Sequence, residues 1–309
     1  MKIGIVGAGA LGGLFAGLLT ESGEDVWLLD KHRERAELIG RKGLKIEKGK
    51  RNRQVRINAT TSGKKIGSCD LVIILVKAYD TVKAAKSARP LVGKKTFLLT
   101  LQNGIGNAEV LNRAFGKRRV VLGATAQGSN VVRDGVIRHA GWGKTIIGEQ
   151  DGDIKERIKN LRKVFNRAGI ETSLTRNIGL TIWQKLIINA SINPLTAITG
   201  IRNGEVLRHN FLVKIMQQIA KESVRVAGAK RIGIDYRAAF TKTKAVCEKT
   251  KDNISSMLQD VNRGKKTEID YINGGIVKIA RQLGISVPTN ELLWRMVKSI
   301  THKGTQKIV

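Results

Sequence analysis

Three residues with chemistry to offer, Lys185, Asn189 and Asn193, recur at every fourth position in the stretch WQKLIINASINPLTAI, 183–198. A lysine ammonium can hand a proton to an oxygen, and an asparagine amide can both donate and accept a hydrogen bond. Each step of four along an α-helix advances about 40° beyond a full turn, so the three side chains form one narrow stripe. The other faces carry Ile182, Trp183, Leu186, Ile187, Ile188, Ala190 and Ile192, which describes a helix buried on most sides. An uncovered ammonium in that setting is costly. Either the stripe meets solvent or a structural hydrogen-bond network, or it lines a ligand cleft.

The element that would bring a reaction partner to such a stripe opens the chain. MKIGIVGAGALGGLFAGLL reads as a short apolar strand, a turn with Gly7, Gly9 and Gly12 in the GxGxxG spacing, and a helix of small residues. Gly7 permits the tight turn, Gly9 lets a pyrophosphate approach the backbone, and Gly12 allows close helix packing. The loop and first helical turn, Gly7, Ala8, Gly9, Ala10, Leu11 and Gly12, would present free N–H groups to the phosphates. A second strand, DVWLLD, ends in Asp30, eighteen residues after Gly12, where an acid can hold the adenosine ribose hydroxyls. Together these features predict a dinucleotide site. Strands at LVIILV (71–76) and TFLLTL (96–101) follow, with helical connections, as a parallel sheet covered by helices requires. Lys77, in VKAYDT, and Asn103, in LQNGIGN, stand just past those strand ends, where the ligand of an open α/β sheet lies. Alone, Lys77 reads as an exposed lysine and Asn103 as a turn former before Gly104. Their occurrence at consecutive strand ends favours contact with the cofactor.

With 309 residues, 41% hydrophobic and only three prolines, the chain can bury a sizeable core and is expected to form two domains. Strand signals largely stop near Arg176. The expected fold is α/β: a Rossmann-type, doubly wound parallel sheet over 1–176, then an all-α domain over 177–309. Helices are predicted at 177–199, 210–229, 235–250 and 267–284, with a cleft between the two domains. No run of eighteen apolar residues and no charged leader is found, so a cytoplasmic, non-membrane protein is expected. Cys69 and Cys247 suggest neither a disulfide framework nor a metal site. His32, His139, His209 and His302 have no acid at recognisable spacing, so none is assigned to catalysis and no metal is expected. The charge is unusual: 56 basic against 25 acidic side chains leaves +31, with clusters at 31–35, 41–53 and 263–266. A solvated surface is the default reading, and salt-sensitive nucleic-acid association the second, unsupported by any zinc-finger or aromatic-rich RNA-binding signature.

The motifs GAGALGG (7–13), VKAYDT (76–81), LQNGIGN (101–107), WQKLIINASINPLTAI (183–198), NGEV (203–206) and NISSMLQDVNRGKKTEIDYINGG (253–275) resemble the ketopantoate reductases across nearly the whole chain. The resemblance implies NAD(P)H-dependent reduction of 2-dehydropantoate to pantoate, a step toward pantothenate and coenzyme A. It implies that Lys185 is the proton donor and that Asn189, Asn193, Asn203 and Ser256 bind substrate. It places Lys77 and Asn103 on the cofactor, Asn103 also near the substrate, Glu268 at the nicotinamide and substrate end, and Ser129 on the cofactor across an alignment gap. Such a reaction needs a proton for the carbonyl oxygen, donors for the carboxylate and partners for the remote hydroxyl, which lysine, asparagine and serine supply. Glu268 can accept from a substrate hydroxyl or help keep Lys185 charged; by spacing alone it is a helix-surface acid balancing Lys265 or Lys266. Asp30 leans toward NADH because its charge repels a 2′-phosphate, while Lys31 and Arg33 could offset that and leave NADPH open. The alternatives are a reductase of another branched 2-oxo or 3-hydroxy acid, and a dinucleotide-sensing, nucleic-acid-associated non-enzyme. A homodimer is compatible with all of them.

Overall fold

The computed structural model describes residues 1–49 and 51–303; Lys50, in the basic run 41–53, lies outside the described residues, as do the side chains of Arg51, His302 and Lys303. Contacts divide the chain into two compact units, Met1–Gln102 with Asn107–Ile178, and Asn103–Gly106 with the chain from Gly179 onward.

The first unit is built on an eight-stranded sheet. Its strands are β1 (Lys2–Val6), β2 (Asp25–Leu29), β5 (Asn58–Thr60), β6 (Cys69–Ile74), β7 (Val92–Thr100), β8 (Val120–Thr125), β11 (Thr145–Gly148) and β12 (Thr172–Leu174), in the order β12-β11-β8-β7-β6-β1-β2-β5. Pairing is parallel except where β11 meets β8 antiparallel. Central strands such as β8 are buried along their whole length, which is why they read as continuous apolar runs. Strand order reverses beside β1, so the ends of β1 and β6 flank the switch point at which open α/β sheets bind ligands. Helices α1 (Ala10–Glu21), α2 (Arg33–Lys42), α3 (Gly63–Ile66), α4 (Thr81–Ala88), α5 (Asn107–Phe115) and α6 (Glu156–Arg167) complete the crossovers.

A second sheet was not expected from the sequence. β3 (Leu44–Lys48), β4 (Arg51–Val55), β9 (Gly128–Arg133) and β10 (Val136–Gly141) form it in the order β4-β3-β10-β9. The basic run at 41–53 is thus largely a β-hairpin, whose alternation buries Leu44, Ile46 and Val55 beneath its charges. α1 is packed between the sheets: a Cβ on Gly13 would lie 2.8 Å from Ile137 Cγ1, and one on Gly17 2.3 Å from Ile46 Cδ1.

The second unit contains α7 (Ile178–Thr199), α8 (Asn210–Ala229), α9 (Tyr236–Lys249), α10 (Ser256–Asn262), α11 (Asn273–Gln282) and α12 (Pro288–Lys303) around one apolar core. The helix expected over 267–284 is broken. Ile269–Tyr271 is a 3₁₀ turn, Ile272 leaves helical geometry at φ −98° and ψ −96°, and α11 begins only at Asn273. The break turns the Tyr271 carbonyl toward the Ile105 N–H, 2.9 Å away, and Gly275 lets Ile105 pack within reach. Two adjacent glycines after Asn273 weaken the helical preference that periodicity alone suggested. Among the described residues no helix is long and apolar enough to cross a membrane.

Candidate active site

The glycine turn of the first unit fits a dinucleotide's phosphates. Gly7 sits at φ +105°, in the region that favours glycine. A Cβ on Gly12 would fall 1.9 Å from the Gly7 carbonyl oxygen, whereas one on Gly9 would meet nothing within 4 Å. The turn is therefore closed on itself at one end and open at the other. Gly9 is the N-cap of α1, no side chain among the described residues caps it, and the first turn carries no acid. Those free N–H groups and the helix dipole suit an anion.

Next to it, the loops after β6 and β7 are tied together. Gln102 Nε2 donates to the Val76 carbonyl and to Thr81 Oγ1, both at 2.9 Å, while Thr81 Oγ1 lies 2.7 Å from the Ala78 carbonyl and 2.8 Å from Asn107 Oδ1. Partly buried Lys77 begins the 3₁₀ turn that this network holds. Gln102, Thr81 and Asn107 lie within the motifs VKAYDT and LQNGIGN without any spacing that marks a role; the pairing of β6 with β7 brings them together.

Asp30 is buried at the end of β2, and both its oxygens are engaged. Arg35 binds it through Nε at 2.6 Å and Nη2 at 2.7 Å, and the His32 N–H donates at 3.0 Å. Burial raises its pKa, but the Arg35 and His32 bonds outweigh that and hold the carboxyl below its ordinary range. The cations expected to offset it are occupied elsewhere, Lys31 with Asp80 at 2.8 Å and Arg33 with Glu37 at 2.7 Å.

In the second unit, three segments remote in sequence meet. Glu268, 6% exposed, accepts from Asn103 Nδ2 at 3.4 Å, and its charge acts on Lys185 of α7. Burial pushes the Lys185 ammonium down to about 8, with Glu268 pulling the other way. A lysine tuned into that range can both hold and release a proton near neutral pH. The expectation that Glu268 could be a helix-surface acid fails, because it is buried and precedes the 3₁₀ turn instead of lying within a helix.

The family described as ketopantoate reductase PanE/ApbA matches residues 3–152, and its C-terminal part matches residues 177–301. The chain belongs to the ketopantoate reductase family. It is 41% identical over 302 residues to the 2-dehydropantoate 2-reductase of Pyrococcus abyssi, covering 96% of this chain and 97% of that one. Identity with the corresponding Pyrococcus horikoshii protein is 40%, with 97% of each covered. Among solved structures, a PanE/ApbA family ketopantoate reductase from Ralstonia eutropha JMP134 is 31% identical with a TM-score of 0.89, covering 99% of this chain and 100% of that one. The ternary structure of D-mandelate dehydrogenase with NADH and anilino(oxo)acetate is 25% identical with a TM-score of 0.95 over the same shares.

Not every residue expected to serve a ketopantoate reductase joins the Lys185 group. Asn189 and Asn193 share its helix, and Asn193 is 7% exposed. Ser256 is exposed at the start of α10, whose N-cap Ser255 accepts from Leu258 N and lies 2.7 Å from Thr196 Oγ1 of α7. Asn203 is buried in a loop, where its Nδ2 donates to Thr250 Oγ1 at 2.9 Å and its N–H to the Asn253 carbonyl at 3.0 Å. Its amide nitrogen helps anchor that loop, while Oδ1 is buried with no partner among the described residues. Ser129 lies on β9 opposite His139, on the strand pair that packs against α1.

Proposed function

We propose that this ketopantoate reductase converts 2-dehydropantoate to pantoate with a nicotinamide dinucleotide, through Lys185 as the proton donor. The bound cofactor supplies a hydride to the substrate's carbonyl carbon. Lys185 Nζ gives a proton to the carbonyl oxygen, so that C=O becomes CH–OH, and the neutral amine recovers its proton from solvent. Asn189, Asn193 and Ser256 hold the carboxylate and the remote hydroxyl, and Glu268 keeps Lys185 charged while accepting from a substrate hydroxyl. Asn203 stays in the substrate set through its unpartnered Oδ1, its Nδ2 anchoring the loop on Thr250. Gly7 to Gly12, Lys77, Asn103 and Ser129 serve the cofactor. The observation carrying this reading is the group Lys185, Glu268 and Asn103: a desolvated lysine facing a buried acid.

The likeness to D-mandelate dehydrogenase supports a second reading, in which another 2-oxo acid is the better substrate. Steady-state reduction of 2-dehydropantoate beside phenylglyoxylate and other branched 2-oxo acids tests both. A kcat/KM for 2-dehydropantoate at least tenfold above the rest is expected, and turnover of none of them would overturn the assignment.

For the cofactor, the Arg35 bond neutralises Asp30 and weakens the case for NADH that the bare acid made. NADH and NADPH are therefore expected to serve with kcat/KM values within about tenfold of each other. A homodimer belongs to the same proposal, supported by Leu292 and Met296, one turn apart on α12 and 57% and 40% exposed. Light scattering at micromolar concentration tests it.

A further inference from the structure

Pro194 lies inside α7, and a proline has no N–H to give the carbonyl four residues earlier. That carbonyl belongs to Ala190, which is fully buried, so a missing donor there is costly. Asn273, the first residue of α11 and itself 0% exposed, donates its Nδ2 to the Ala190 oxygen at 3.1 Å.

The same Nδ2 reaches Asn290 Oδ1 at 3.1 Å, and an amide group has two hydrogens to do both. Asn290 Nδ2 in turn donates to Glu222 Oε2 at 2.8 Å; Glu222 of α8 also accepts the Asn290 and Thr289 N–H groups at the start of α12, each at 3.0 Å. A carboxylate accepts only, so it fixes which end of the Asn290 amide faces it. That leaves Asn290 an oxygen for Asn273, and Asn273 its donors for Ala190. The orientation of the chain is thus set from Glu222 outward. Asn273 Oδ1 is buried with no partner among the described residues, so the side chain serves through its donors.

The chain ends on the backbone between Asn189 and Asn193. We propose that Asn273 is a positioning residue for substrate binding: by holding the Ala190 carbonyl that Pro194 frees, it fixes the stretch of α7 between Asn189 and Asn193, and with it the placing of those two side chains. The inference rests on the reading that these asparagines bind the 2-oxo acid. Its core is that a regular helix would need neither Pro194 nor Asn273, whereas here one creates a backbone acceptor and the other satisfies it.

The test uses the full chain with saturating cofactor and either 2-dehydropantoate or phenylglyoxylate. Asn273→Ala should raise KM for the oxo acid roughly tenfold, the effect of one lost hydrogen bond, with kcat within about threefold. The Kd for the dinucleotide alone, measured by fluorescence, should not move. Should Asn273→Ala fail to fold, the double variant Asn273→Ala with Pro194→Ala restores an N–H for Ala190 inside the helix. It should recover thermal stability and keep the raised KM, because the tie from Asn273 of α11 to α7 is still missing. A lowered Tm with wild-type KM in the single variant, or wild-type KM in the double, would make Asn273 a packing residue and overturn the proposal. A wild type that reduces neither oxo acid overturns the substrate reading beneath it.

Discussion

Lys185 is where the chemistry can be read most directly from a titration. Burial brings its pKa down to about 8, so under the proposed role the ammonium that donates would be present below that pH and lost above it. In the wild type, kcat/KM for reduction should fall about tenfold per pH unit above 8. Glu268 raises that pKa against the lowering by burial, so Glu268→Gln should move the falling limb to lower pH, and Lys185→Ala should abolish it with a loss of roughly 10²- to 10⁴-fold in kcat. A limb that survives in Lys185→Ala would assign the proton elsewhere. Arg35 offers a second residue-level test. Removing it leaves the buried Asp30 charge uncovered, so Arg35→Ala should shift the kcat/KM ratio toward NADH by about tenfold or more; an unchanged ratio would remove Asp30 from cofactor choice. At this scale the Lys185 stripe was legible because a four-residue period survives in any helix. The burial of Glu268 was not, because spacing beside Lys265 and Lys266 describes a surface acid equally well. Nor was the Arg35 bond, which closes only when the turn after β2 feeds α2.

Among the elements, α1 shows which glycines are indispensable. At Gly12 the obstacle to a side chain is backbone, the Gly7 carbonyl, which cannot swing away. At Gly17 it is the tip of the Ile46 side chain, which can. Gly12→Ala should therefore cost several degrees in Tm and weaken dinucleotide binding. Gly17→Ala should stay within about 1 kcal/mol of wild type, because helix propensity returns about as much as the repacking costs. Differential scanning calorimetry and a fluorescence titration separate the two; equal damage would mean that α1 is clamped along its length. The sheet that clamps its far side escaped the sequence because LKIEK and RNRQV bury only Leu44, Ile46 and Val55 among so many charges. Two alternations are too short to stand out from a basic surface run.

Over the whole molecule, the +31 charge meets a reaction whose substrate and cofactor are both anions. Local pairs such as Arg53 with Glu21 and Arg138 with Glu47 use some cations, but 25 acids cannot pair 56 bases one to one. A field of this sign should speed the approach of an anion. kcat/KM for the oxo acid is expected to fall several-fold between about 0.02 and 0.5 M salt while kcat changes little, and insensitivity to salt would show that the excess charge serves something else. The point at which strands give way to helices was legible, since that change of period is a property of long segments and β12 is the last strand among the described residues. The placing of Asn103–Gly106 with the helices was not, because it depends on contacts remote in sequence: Asn103 with Glu268, and Ile105 with Tyr271 and Gly275. The Ile105 contacts bear on how the chain can be divided. A gene fragment beginning at residue 177 would encode six helices yet lack Ile105, leaving the Tyr271 carbonyl without its N–H and Gly275 without the side chain packed on it. Anyone exchanging the helical half with a relative's should therefore transplant four residues from the middle of the other half as well: the reading frame separates what the folded protein counts as one piece.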